Sequence, residues 1–158
     1  LRNRKARRTV MLVRLIEMIE NNAASMAKEL KEKLLSDPNI SSYHTLPDQA
    51  LYQNIFEVYS RLGHWLLGDP EKGEVKTHYS SIGRQRFDEG FPLHEIIQAL
   101  VATKKHIWDT ILEKGIMRTT RELDSAVDFI TYLNRFFDMA IYHTTMGYYR
   151  EVQLQKAS

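Results

Sequence analysis

One long helical pattern near the C-terminal end limits what this chain can fold into more than any other feature. Thr119-x-x-Glu122 has the spacing of a capping box, in which a hydroxyl and a carboxylate satisfy the first free amides of a helix. After it, Leu123, Val127, Ile130, Asn134, Phe137, Ile141, Thr144, Tyr148 and Val152 recur at heptad spacing. A helix through all of them has about 35 residues and spans roughly 52 Å. A compact domain of this size has a radius of gyration of only about 15 Å. The end of the helix should therefore project, and a seam that leaves its domain in register normally continues into a partner helix or a following domain.

Upstream, the sequence predicts four more helical segments and no strand. The first runs from about residue 4 to 35, with Leu12, Ile16, Ile19, Ala23, Met26 and Leu30 at steps of three and four. "SDPNISSYHTLPD" breaks it with two prolines and turn formers. The second runs from about Pro47 to Leu67 on a stripe of Leu51, Ile55, Val58, Leu62, Trp65 and Leu66, and Gly68 with Pro70 ends it. The third, about Glu71 to Glu89, is weaker. Val75, Tyr79 and Ile82 face one way, and Gly83 leaves room for another helix to approach closely. "GFP" stops it. The fourth starts at about Leu93, carries Ile96, Ile97, Leu100, Val101, Ile107, Trp108 and Ile111, and ends at Gly115. The expectation is an all-α bundle in one domain, 1–158, with long first and last helices.

The 158 residues suffice for a core that folds alone. No run of 18 apolar residues is present, so no membrane span is expected, and no signal peptide is visible. With no cysteine, disulfides, thiolate metal sites and cysteine catalysis are excluded, and a cytoplasmic location fits. The chain begins with Leu1 rather than Met, which suggests a piece of something longer. The net charge of +2 gives no reason to expect nucleic acid. "LRNRKARR" holds five basic residues but no aromatic to stack on bases, and a solvated helix start is the simpler reading.

Six histidines raise the question of haem or metal. His64 points away from its helix's stripe, where a distal haem residue would point inward. His94 lies at the edge of the apolar stripe of the fourth helix, where a helix-start or surface histidine is the default, and His106 on the polar face. Twelve residues apart, or roughly 18 Å of helix, they cannot share a metal. His78 and His143 stand alone on long helices. No His-x-x-x-His or Glu-x-x-His pair occurs, and "GFPL" leaves little chain for a proximal haem wall. Glu17 with Glu20, and Asp124 with Asp128, read as solvent faces of helices rather than catalytic pairs. No phosphate loop or nucleophile motif is present. No catalytic residue, cofactor or metal is expected.

"SIGRQRFDEGFPLHEIIQALVATKKHIWDTI" followed by "YLNRFFDMAIYHTTMGYY" resembles the N-terminal domain of RsbT co-antagonists of the RsbR and RsbD type. The shared parts are a Gly-Arg helix ending in "GFPL", an apolar helix with a basic middle, and an "NRFFD" helix ending in tyrosines; with the helix order, the resemblance covers about residues 10 to 150. It implies a globin-like, haem-free, dimeric sensory or regulatory domain. It also implies a fused output domain, either a stressosome STAS domain or a histidine kinase module, and signalling partner proteins. The runner-up is a haem- or metal-binding gas sensor of similar outline. The first and last helices are the expected homodimer surface, with Leu12, Ile16, Ile19, Phe137, Ile141 and Tyr148 as contacts. Asn134 in the seam is either a register-fixing residue or a local surface one.

Overall fold

Asn22 interrupts what the sequence reads as one first helix. Its side-chain amide donates to the carbonyl of Met18 at 2.7 Å, and its backbone (φ −106°, ψ 12°) leaves the helical range. The computed structural model, which describes residues 2–69, 73–114 and 118–158, accordingly has two helices here, α1 (Arg2–Asn21) and α2 (Ala23–Ser36). An asparagine that bonds back to its own backbone competes with the helix ladder. Pro70, Glu71 and Gly115, expected as helix limits, lie outside the described residues.

The expected break after α2 is a 3₁₀ segment, Pro38–Thr45, started by the Asp37 side chain on the Asn39 amide at 2.9 Å. It carries Ile40 and Tyr43 into the core. The expected second helix divides at Arg61 (φ −120°, ψ 29°) into α3 (Asp48–Ser60) and α4 (Leu62–Leu67). Gly63 at that break meets α1: an added Cβ would lie 3.2 Å from Ile16, and the Gly63 amide donates to Glu20 at 3.2 Å. Glu20 thus anchors α4 rather than facing solvent, whereas Glu17 is exposed.

Next come α5 (Glu74–Asp88), α6 (Leu93–Glu113) and α7 (Thr120–Ala157). At the end of α5, Gly90 takes φ +80° while Phe91 N donates to Arg86 O and Gly90 N to Phe87 O. That pair of bonds is the Schellman termination, which favours glycine at its left-handed position. The capping box of α7 forms as read: Thr119 accepts from the Glu122 amide at 3.2 Å, and Glu122 accepts from Thr119 and Arg118 amides at 2.8 and 2.6 Å. At 38 residues, α7 is about 57 Å long. The described residues form an all-helical bundle without strands.

The core lies between α7 and the other helices. Trp65 packs against Phe136 at 5.7 Å and Tyr79 at 6.1 Å between ring centroids, and Phe136 against Phe137 at 4.9 Å. Beside these rings α5 crosses α7 at backbone contact. A Cβ on Gly83 would fall 2.0 Å from Thr144 O, and one on Gly147 would fall 2.1 Å from Ser80 O. The room expected at Gly83 is therefore used, and Gly147 is its counterpart on the other helix.

Alanine in place of a helix-interior glycine ordinarily stabilises by roughly 0.5–1 kcal/mol. Here the methyl meets backbone that no rotamer change relieves, so Gly83→Ala and Gly147→Ala should each destabilise by about 3 kcal/mol. That corresponds to a fall in thermal midpoint of roughly 6–12 °C. Melting followed by circular dichroism checks it; unchanged or raised midpoints would contradict the crossing.

Candidate functional site: the outer face of the last helix

Phe129, Leu133, Phe136, Phe137 and Ala140 give α7 its buried face, with Ser125 and Ala126 before them and Thr144 and Gly147 after. The heptad seam read from the sequence does not coincide with that face. On a straight helix a strict seven-residue repeat drifts by about 20° per heptad. The seam therefore starts outside and turns inward: Leu123 and Val127 are exposed (54% and 51%), Asn134 is exposed, Ile130 and Ile141 are half-buried, and Phe137 and Thr144 are fully buried. The polar seam residue Asn134 is a surface residue of the single chain.

This placement bears on the expected dimer contacts. Leu12, Ile16, Ile19 and Phe137 are buried inside one chain, at 6% exposure or less, and cannot also form a face for a second copy. The apolar stripe of α1 is spent on its own core, because α4 and α7 both pack on it. Tyr148 is half-buried and donates its hydroxyl to Phe91 O at 2.7 Å, tying α7 to the start of α6. Of the seven residues, Asn134 is exposed, and Ile141 and Tyr148 keep part of their surface. Leu123 and Val127 add to it, while Tyr142, Tyr149 and Leu154, also exposed, lie on other sides of the helix. α6, which packs against α7, also leaves Val101 and Leu112 exposed. Val10 and Val13 are the exposed apolar residues of α1.

The histidines divide as follows. His64 points outward, as expected, and meets Glu74 at 2.5 Å. His94 is exposed. His106 is not on a polar face: it is 4% exposed, its Nδ1 lies 2.7 Å from the Tyr59 hydroxyl, and its Nε2 lies 3.5 Å from Glu29. Both α2 and α6 contribute to this contact, and the tyrosine comes from α3. Helix periodicity shows one apolar stripe; it does not show that a second helix covers the flank beside it. His143 is buried as well, and His78 packs against Trp65 at 5.3 Å. Among the described residues, no three His, Cys, Asp or Glu side chains converge as metal ligands do.

A second buried polar site sits at "GFPLHE". Arg86, 6% exposed, lies over the rings of Tyr43 at 5.7 Å and Phe91 at 5.1 Å and pairs with Glu89 at 2.5 Å. Burial pushes the Tyr43 phenol up to about 12. Glu95, also buried, accepts from the Ser42 amide at 3.1 Å. The motif thus joins the ends of α5 and α6 to the 3₁₀ segment. Neither charge stands out in the sequence, where an arginine and a glutamate on helix ends read as solvated.

The Gly-Arg helix ending in "GFPL", the apolar helix with a basic middle and the "NRFFD" helix ending in tyrosines, here α5, α6 and α7, carry the resemblance to the family named above. The model of the RsbT co-antagonist protein RsbRD N-terminal domain matches residues 25–157. The chain belongs to this family. The match takes in α2 to α7 with the capping box, both glycines of the α5–α7 crossing and the Arg86 junction, and it leaves out α1. No curated protein matches the chain. As a member of the RsbRD N-terminal family it is a signalling domain, and among its described residues no helix is long and apolar enough to cross a membrane.

His106 gives this RsbRD-type domain a pH-dependent term. Burial lowers its pKa, against the opposing pull of Glu29 and with a smaller lowering by Lys33. The folded state then binds fewer protons than the unfolded chain below the ordinary imidazole value of about 6.5. Stability from neutral His106 is complete above that value and is lost as pH falls through it towards the lowered value. His78 contributes with the same sign, its pKa lowered first by burial. The urea midpoint should fall between about pH 8 and about pH 5, and His106→Gln, which keeps an acceptor for Tyr59, should flatten the fall. An identical pH slope in the variant would contradict this role.

Proposed function

We propose that this chain is a haem-free sensory or regulatory domain of a bacterial signalling protein, of stressosome or histidine kinase type. It dimerises and passes its signal through α7 to a fused output domain. The carrying observation is the split character of α7. One face is locked into the core by the glycine crossing and the Phe129–Ala140 packing, while Leu123, Val127 and Asn134 form an outer stripe that is exposed among the described residues. A helix of about 57 Å, held on one side and free on the other, suits transmission: its final turns, Gln153 to Ala157, extend beyond the packed body as exposed helix. Shifts of about 1–2 Å at a helical subunit interface are a known signalling repertoire.

The role is regulatory rather than enzymatic, and the domain works without a metal or haem. Support comes from the interior, where Trp65, Tyr79, Phe136 and Phe137 fill the space between α4, α5 and α7 with ring contacts. Its place is the cytoplasm, and its partners are a second copy, the output domain and signalling proteins.

A dimer of this kind buries roughly 1,200–2,000 Å² in total. A carboxylate at the centre of its surface lies unpaired and costs several kcal/mol on association. Val127→Glu alters a position exposed in the single chain, so it should leave the helical circular dichroism intact and shift sedimentation from dimer to monomer. Phe137→Glu, at a position with no exposure, should unfold the domain instead. Wild-type chain sedimenting as a monomer at micromolar concentration, or Val127→Glu remaining dimeric, would refute the assignment.

A further inference from the structure

We propose that the trough between α1 and the start of α7 is a docking site for an acidic, amphipathic helical segment of a partner protein. The two helices diverge there around a cleft of about 820 Å³, continuous with a second of about 460 Å³ that shares Arg7, Met11 and Arg121. Arg4, Arg7 and Arg14 from α1 and Arg121 from α7 line it, and all four are exposed. Two carboxylates, Asp124 and Glu122, also line the clefts, so the four arginines leave a net positive surplus there. Asp128 is taken by Arg8 in a two-point pair. Glu122 is occupied by the amides of Arg118 and Thr119, which hold its carboxyl below the usual range. Among the described residues no ion pair engages any of the four arginines.

The shape of the trough selects the ligand. Arg4, Arg7, Met11 and Arg14 follow one another at steps of three and four, so they share a face of α1 over roughly 15 Å. A single phosphate or carboxylate needs one fork of two N–H groups and would leave most of that row unused. Met11 and the exposed Val10 place apolar surface between the charges, which suits a helix carrying both acidic and apolar side chains. No aromatic residue lies in the row to stack on bases, as single-stranded nucleic acid binding requires. A second copy is disfavoured, because its own basic arm would face this one. The α1 wall lies outside the family match, and the site stands independently of the dimer proposed above.

The test uses fluorescence anisotropy of the whole chain with a labelled helical peptide of roughly 16 residues, leucine at steps of three and four and glutamate elsewhere. Polyglutamate of equal length and a short DNA duplex serve as competing probes. The expected result is saturable binding at physiological salt, weakened about tenfold or more by Arg7→Glu combined with Arg121→Glu and unchanged by Lys76→Glu on α5. Polyglutamate should bind at least about tenfold more weakly, since it lacks the apolar face. The altered arginines are exposed, so circular dichroism should confirm an unchanged fold. The proposal is overturned if the peptide does not bind or polyglutamate binds equally well. It is also overturned if the arginine variant binds as wild type or the DNA duplex displaces the peptide.

Discussion

The α5–α7 crossing is the constraint on which the remaining geometry depends. Two helices approach until backbone touches backbone, and only glycine at positions 83 and 147 permits it. That approach brings Tyr79 of α5 against Phe136 of α7 at 5.8 Å and lets Trp65 of α4 close the cluster. It also sets which side of α7 is committed to the core. With the crossing fixed, Leu123, Val127 and Asn134 on the far side of α7 stay exposed among the described residues, whatever their hydrophobicity. The exposure of Leu123 and Val127 follows from the rotation of the helix at its glycine contact rather than from a lack of apolar character.

The polar interior adds specificity to this frame. Arg86 is held between two aromatic rings and Glu89, and Glu95 reaches across to the 3₁₀ segment. His106 joins Tyr59 of α3 to Glu29 of α2. Each is a buried polar group with at least one partner on another element, although Arg86 Nε and His106 Nε2 have no hydrogen-bond partner among the described residues. Removing one partner of such a contact leaves the other desolvated, which is costlier than losing an exposed pair. The domain therefore has two places, one at the start of α6 and one about three turns farther along it, where an altered protonation state or ion pair would be felt by several helices together.

Much of the fold was legible in the sequence, for reasons that can be named. The capping box at Thr119 and Glu122 is local chemistry, fixed by residues three apart, and it forms as read. Gly83 beside the short apolar stripe of Val75, Tyr79 and Ile82 implied a close approach, and the approach is there. The family resemblance, carried by "GFPL" and "NRFFD", holds over residues 25–157. What failed depended either on local backbone geometry or on packing that one helix's stripe does not show. Asn22 and Arg61 break helices through local backbone geometry that their periodic neighbours hide. His106 looked exposed because α6 alone has one stripe, although α2 and α3 bury its flank. The seam of α7 looked like a single interface because heptad spacing does not reveal the drift that carries Phe137 inside and leaves Asn134 outside. Leu12, Ile16 and Ile19 face the chain's own core, since a stripe shows that a helix buries one face but not against what.

The outer stripe of α7 as a two-fold contact is the central claim, and cysteine cross-linking tests it most directly, because the chain has no cysteine of its own. Single cysteines would be placed at Leu123, Val127, Asn134 and Ile141 along the stripe, and at Asp124 and Thr131 on the adjoining flank. A disulfide requires Cβ atoms about 3.5–4.5 Å apart, which only residues facing their symmetry copies reach. Mild oxidation should give covalent dimers at one or more stripe positions and none on the flank. Equal cross-linking at both sets, or none along the stripe, would contradict the assignment of that face to a second copy.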